Sequence, residues 1–270
     1  MKKVFLLLLF IPLFFLTCKK EKDAAKQLYL SKIYEDGLLT TEYIYSADKK
    51  PLRRNFYSTN LGQSVFASLR LYQYSTAGLL DEVVDFTKAN TFIDKYKFQY
   101  DINKKPSRMD ELASDNTVQY YSVYEYSPTG YLAKFTRYIA STNKKTFEGR
   151  FTNDADGKIK KLVRYFYSGN NATLNDSTTF TFNSKLPAHW NYFESLPDMV
   201  LPNSYRYFFD MTCDSLFYYH PDTPPFKSSV SFSGKEYNAQ GYLSKQTITY
   251  VNESNSISTT HSDMSYEYVE

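Results

Sequence analysis

Few residues in this 270-residue sequence are of the types that carry out chemistry. It has three histidines (His189, His220 and His261) and two cysteines (Cys18 and Cys213). A Ser-His-Asp triad or a zinc site needs such groups to converge with specific partners. The histidines are widely separated, and no G-x-S-x-G elbow, H-E-x-x-H pair, phosphate-binding loop or CxxC spacing occurs. Asn153-Asp154-Ala155-Asp156-Gly157 sets two carboxylates two apart before a glycine, a spacing that can present oxygens to calcium. It also fills a turn slot, where Asp-Gly is favoured for backbone geometry alone, and no closing bidentate acid follows. Acid pairs for glycoside hydrolysis need a defined separation across a cleft, which spacing in sequence does not give. The 29 acids are scattered roughly one per strand or turn, the pattern of a solvated face. No catalytic, metal or cofactor-binding residue is assigned on these grounds.

The most specific chemistry lies at the N-terminus. Lys2 and Lys3 precede an apolar run from Val4 to Leu16, broken only by Pro12. Thr17, Cys18 and the charged stretch Lys19-Lys20-Glu21-Lys22-Asp23 follow. That order is a secretory signal peptide over residues 1–17. The run has 13 residues, whereas a spanning helix needs about 20. Leu16-Thr17-Cys18 resembles the end of a bacterial lipobox, with Thr17 in place of the usual small residue. The resemblance implies that the Cys18 thiol is diacylated, and two acyl chains suffice for stable anchoring. Residues 18–27 then read as a lipidated, hydrated tether. Lysines followed by acids after the lipidated cysteine also resemble the surface-export signal of Bacteroidota lipoproteins, in part only because Lys22 separates Glu21 from Asp23. Cys213, left alone among aromatics, has no disulfide partner and reads as a small core or turn residue.

The rest of the chain is periodic. Two aromatics flanking one residue recur at Tyr43/Tyr45, Tyr72/Tyr74, Phe98/Tyr100, Tyr124/Tyr126, Phe180/Phe182, Tyr207/Phe209 and Tyr266/Tyr268. Weaker copies end at Phe151 and Tyr237. The second aromatics stand 25 to 31 residues apart, a repeat of roughly 27. A short polar turn follows most of them, as in Ser127-Pro128-Thr129-Gly130, or Lys-Lys-Pro at 49–51 and 104–106. Alternation such as Tyr96-Lys97-Phe98-Gln99-Tyr100 has the period of a strand with one buried face. Each unit is therefore a β-hairpin. No stretch after Cys18 carries a helical stripe. The spacing predicts an all-β antiparallel meander of about 16 to 18 strands, curled or partly closed, forming one domain over residues 28–270.

The unit Tyr-x-Tyr-[Asp/Ser/Asn]-x-x-Gly-x-Leu, seen at Tyr124 to Leu132 and Tyr72 to Leu80, resembles the YD repeat of RHS-type proteins. It is closer still to YD-like repeats of uncharacterised Bacteroidota lipoproteins. The Asp after the second aromatic is kept only at Asp101 and Asp210. In RHS-type proteins such repeats wind into a shell around a toxin. The resemblance implies architecture and no particular activity.

Without Lys2 and Lys3 the net charge of +3 falls to +1, so no electrostatic case for nucleic-acid binding exists. Tyrosine, with 27 copies, suits surfaces half buried and half wet. Lining the buried face of the sheet is the simplest role for these rings; an exposed strip would stack on glycans or proteins. The expectation is an outer-membrane, surface-facing lipoprotein without cofactor, a binding or scaffold module for a glycan or protein partner. The alternative is an envelope or polysaccharide hydrolase whose acids converge from several repeats.

Overall fold

A computed structural model describes residues 28–155, 159–181, 215–221, 226–253 and 258–270. The signal peptide, Cys18, the tether, Asp156, His189, Trp190, Cys213 and the aromatic pair Tyr207/Phe209 lie outside the described residues.

The described chain is all strand. The first eight strands are β1 (Tyr29–Glu35), β2 (Leu38–Tyr45), β3 (Pro51–Asn60), β4 (Gln63–Tyr74), β5 (Leu80–Thr87), β6 (Phe92–Tyr100), β7 (Pro106–Leu112) and β8 (Val118–Tyr126). The next four are β9 (Leu132–Ile139), β10 (Lys144–Asn153), β11 (Ile159–Ser168) and β12 (Asn171–Thr181). The last are β13 (Ser215–His220), β14 (Phe226–Tyr237), β15 (Leu243–Asn252) and β16 (Ser258–Val269). Each pairs antiparallel with its neighbours in sequence, as the hairpin repeat requires. The sheet goes further than a curl: β1 pairs with β16 from Tyr29↔Val269 to Glu35↔Met264, closing a barrel of sixteen strands. Closure removes the two edges that a long open meander would leave to aggregate.

The repeat is a turn, a bulge and a latch. After Tyr74, Tyr126 and Tyr45 the chain makes one kind of loop, with paired backbone bonds such as Ser127 N to Tyr131 O and Gly130 N to Ser127 O. Gly130 has φ +85°, and Lys104 takes the equivalent position at φ 61° in the Lys-Lys-Pro version. The residue opening the loop accepts a bond from the backbone N–H four residues on, whether it is Ser127, Asp101 or Asn238. The Asp of a YD motif is thus interchangeable with Ser and Asn, because only one accepting oxygen is needed.

Where the second strand begins, the ladder skips one residue: Ser107 between Gln99↔Arg108 and Tyr100↔Pro106, Ala133 between Glu125↔Lys134 and Tyr126↔Leu132. Such a bulge interrupts pairing and re-aims side chains. The tyrosine hydroxyl of the next long hairpin then donates to the carbonyl at the bulge. Tyr74 reaches Pro51, Tyr100 reaches Leu80, Tyr126 reaches Pro106, and Tyr268 reaches Leu243, all within 3.0 Å. Burial pushes the Tyr100 phenol up to about 12. The recurrent second aromatic is therefore a latch that ties consecutive turns together.

One face of the ring is packed. Tyr72, Val83, Tyr96, Phe98, Met109, Tyr124, Phe135, Leu162 and Phe180 join residues of β14 to β16 in a single buried cluster that runs round the barrel. Sixteen-stranded porins enclose water. Here the inward side chains include this buried aromatic band. The opposite face carries Glu82, Lys97, Arg108, Asp110, Lys134, Glu125, Arg150 and Lys245, with cross-strand ion pairs such as Lys134–Glu125 at 2.7 Å. A membrane-spanning barrel needs an outward apolar band. This face carries charged side chains among the described residues instead.

Candidate functional site

Two side-chain groups stand out, one on each face. The outward one begins with ladder neighbours. Tyr121 of β8 lies opposite Tyr138 of β9, and their rings stack at 5.0 Å with planes 17° apart. The Arg108 guanidinium lies 4.0 Å from the Tyr121 ring centre. Lys145 of β10 lies opposite Tyr138 and sits 4.0 Å over Tyr167 of β11. Arg150 covers Tyr165 at 4.9 Å. The result is a half-buried column of tyrosines and cations crossing β7 to β11. Glu148 anchors it. Burial works to raise its pKa, but hydrogen bonds from Lys145 and Arg150 outweigh that and hold the carboxyl below the usual range. Tyr121 is covered on both sides, by Tyr138 and Arg108, while Tyr138, Tyr165 and Tyr167 each have one neighbour stacked on them.

The inward group lies between the aromatic core and the rim formed by the loops 87–91 and 113–117. Arg70 of β4 and Asp85 of β5 are ladder partners joined by two 2.8 Å bonds. Asp94 of β6 lies opposite Asp85. Glu111 of β7 lies opposite Tyr96 of β6 and accepts from Arg137 of β9 at 2.6 Å. Arg137 also stacks 3.7 Å over Tyr120. Further round the ring, Arg164 and Asp176 pair at 2.7 Å with no exposure at all.

These charges correct the expectation that the acids form a solvated face. Asp85 and Asp94 are inward because they keep the phase of Val83 and Tyr96 two residues away. Glu111 keeps that of Met109. Alternation therefore held the signal, but composition masked it. Burial in pairs makes the arrangement tolerable: each of Asp85, Glu111 and Asp176 has a guanidinium, and a buried charge without one would be far costlier. Asp94 differs. Burial first, then the charges of Glu111 and Asp85, raise its pKa above the ordinary carboxylate value.

Among the described residues, the others weighed for chemistry do not converge. His261 is exposed on β16 and bonds the Thr249 hydroxyl at 3.0 Å. His220 lies on β13, away from it in sequence and strand order. Asp154 sits 4.0 Å from Lys160 across its turn. Among the described residues no group of three or more His, Cys, Asp or Glu could hold a metal.

No family model matches the chain, and no curated protein matches it in sequence. Solved structures do. A porin-like protein from Bacteroides uniformis ATCC 8492 aligns over 85% of this chain and 89% of its own, at 9% identity and a TM-score of 0.54. A porin-like protein from Bacteroides vulgatus ATCC 8482 aligns over 89% and 99%, at 11% identity and a TM-score of 0.41. A Photorhabdus luminescens Tc holotoxin pore structure covers 82% of this chain at 16% identity, with a TM-score of 0.33 over 9% of that chain. The first of these shares the fold; identities this low carry nothing about activity.

Proposed function

We propose that this chain is a lipoprotein of the cell envelope, anchored in the outer membrane through Cys18, whose ring is a binding module for a protein partner. The observation that carries the reading is the outward column of Arg108, Tyr121, Tyr138, Lys145 and Tyr167. Tyrosine and arginine dominate the energetics of protein interfaces. Rings already stacked in the free protein lose little freedom when a partner covers them. A glycan would stack on open ring faces, and the central ring, Tyr121, has both of its faces taken by Tyr138 and Arg108. A hydrolase would need two acids free to exchange protons and attack. In the inward group Asp85 and Glu111 are each held by an arginine, leaving Asp94 alone.

The charged outward face supports an anchored rather than an inserted barrel. Cross-linking of intact envelopes, followed by purification of the full-length protein, tests the partner reading. The wild type should return a discrete adduct that the double variant Tyr121→Ala/Tyr138→Ala loses. An unchanged adduct in the variant would place the partner elsewhere.

A further inference from the structure

We infer that the outward face of β6 to β11 is a docking surface for an acidic polypeptide segment, bound along a diagonal stripe of cations. The inference rests on the partner reading above and gives that partner's charge and shape.

The case starts from a surplus of charge. On this face β6 carries Lys95 and Lys97, β7 carries Arg108, and β9 carries Lys134. Lys145 and Arg150 of β10 and Lys161 of β11 continue it. The acids of the same face and strands are Asp110, Glu125 and Glu148. Seven cations thus meet three acids, or four with Glu82 of neighbouring β5, which pairs with Lys95 at 3.3 Å. The pairing leaves a definite remainder. Arg108 is held by Asp110 and Lys134 by Glu125, while Lys145 and Arg150 share Glu148. Lys97 and Lys161 are exposed, and no ion pair among the described residues reaches either. Asp110 and Glu148 are buried, whereas Lys97, Arg150 and Lys161 are exposed, so a partner meets cations first. Elsewhere outward charges come in pairs, Lys32 with Glu267 across β1 and β16, and Lys245 with Glu236 across β14 and β15.

The layout of the cations selects the partner. They step diagonally across the ladder. Lys97 lies opposite Asp110, and Arg108 comes two residues before Asp110. Lys134 lies opposite Arg150, and Lys161 comes two residues before Val163, which also faces Arg150. From β6 to β11 is five strand spacings, roughly 24 Å at about 4.8 Å each. An extended acidic stretch of about seven residues or more is needed to cross that width. A single small anion would answer one cation and leave the others. Exposed ion pairs are weak one at a time, so several must form together, and their shared sign steers an acidic partner to the face. The Tyr121–Tyr138 stack lies within the stripe and supplies ring edges and hydroxyls of the kind protein interfaces use. A polyanionic sugar lacks the central ring face to stack on, because Tyr138 and Arg108 cover Tyr121.

The test is a fluorescence-anisotropy titration of the full-length protein, in detergent, with a labelled decaglutamate peptide at neutral pH and low salt. Decalysine controls for the sign of charge and a galacturonate decamer for the polymer that carries it. The expected result is saturable binding of decaglutamate, none of decalysine, and galacturonate binding weaker by about tenfold or more. Salt should weaken the decaglutamate complex steeply, since the contacts are exposed. Lys97→Glu/Lys161→Glu changes two exposed positions that make no ion pair. It should weaken decaglutamate binding by about tenfold or more while circular dichroism stays unchanged. Lys49→Glu/Lys227→Glu makes the same change of charge outside the stripe and should leave binding as it is. Absence of saturation, equal affinity for galacturonate, or equal losses in the two variants would overturn the inference. Cross-linking in envelopes separates it from the partner reading. An adduct lost in Tyr121→Ala/Tyr138→Ala but kept in Lys97→Glu/Lys161→Glu would overturn the acidic partner and leave the partner surface standing.

Discussion

The Asn153 side-chain amide donates to the Leu132 carbonyl at 2.9 Å, taking the place that a tyrosine hydroxyl holds in neighbouring repeats. In register Phe151 corresponds to Phe98 and Tyr124, the first aromatic of each pair, and Asn153, past the same bulge, stands where Tyr100 and Tyr126 stand. An amide of different length fills the tyrosine's own position and reaches the same kind of carbonyl. The latch is thus a requirement of the fold rather than a by-product of tyrosine content.

Its loss should be measurable. Tyr126→Phe deletes the bond to Pro106 and leaves a part-buried carbonyl without its donor. The expected cost is about 1 kcal/mol in urea unfolding, and Asn153→Ala should cost a similar amount. A Tyr126→Phe protein as stable as wild type would show that the hydroxyl is not a latch.

Gly149 of β10 exists for a ring. It stands opposite Phe135, which is fully buried, and a Cβ on Gly149 would collide with the Phe135 ring. Phe147 and Phe151 pack against the same ring at 5.8 and 5.9 Å, so it has nowhere to move. Gly149→Ala should destabilise by about 1–3 kcal/mol, the range for overpacking. An unchanged unfolding midpoint would mean that the core yields where close packing says it should not.

Asp94 gives a pH dependence of defined sign. Its folded pKa is raised, first by burial and then by Glu111 and Asp85. The folded chain therefore holds this proton more tightly than the unfolded chain does. The stability gained is full below the unfolded carboxylate value and is lost as pH rises through the raised one. Asp94→Asn should accordingly raise the urea midpoint at about pH 7, with the gain shrinking towards about pH 4. A midpoint lowered at neutral pH would contradict that assignment.

The strand pattern was legible in the residues themselves. Tyr96-Lys97-Phe98-Gln99-Tyr100 alternates, and β6 buries Tyr96 and Phe98 while Lys97 and Gln99 face water. The turns were legible too, including Lys-Lys-Pro standing in for glycine. Closure was not. Nothing local in Tyr29–Glu35 marks Met264 to Val269 as its partner, because pairing over that distance depends on how curvature accumulates across the whole sheet. The inward charges were hidden for another reason. Arg70 and Asp85 lie 15 residues apart, and their pairing follows from register, which each bulge shifts by one residue. The Tyr121–Tyr138 stack was half visible, as tyrosine excess without an address.

Orientation across the outer membrane is tested by access. If Lys19, Lys20, Glu21 and Asp23 direct export, protease added to intact cells should remove the ring, and Glu21→Ala/Asp23→Ala should protect it. Digestion of the wild type only after the membrane is opened would place the ring in the periplasm.

The central claim is that a closed β-barrel with a charged outer face is held to the membrane by lipid alone. Fractionation of cells carrying Cys18→Ser, with a carbonate wash and a palmitate label, tests it most directly. The account predicts a folded, unlabelled, soluble protein, against a labelled and membrane-bound wild type. A Cys18→Ser protein that still takes the label, or stays in the washed membrane, would contradict it: the first by removing Cys18 as the acylated residue, the second by showing that the barrel itself holds to the bilayer.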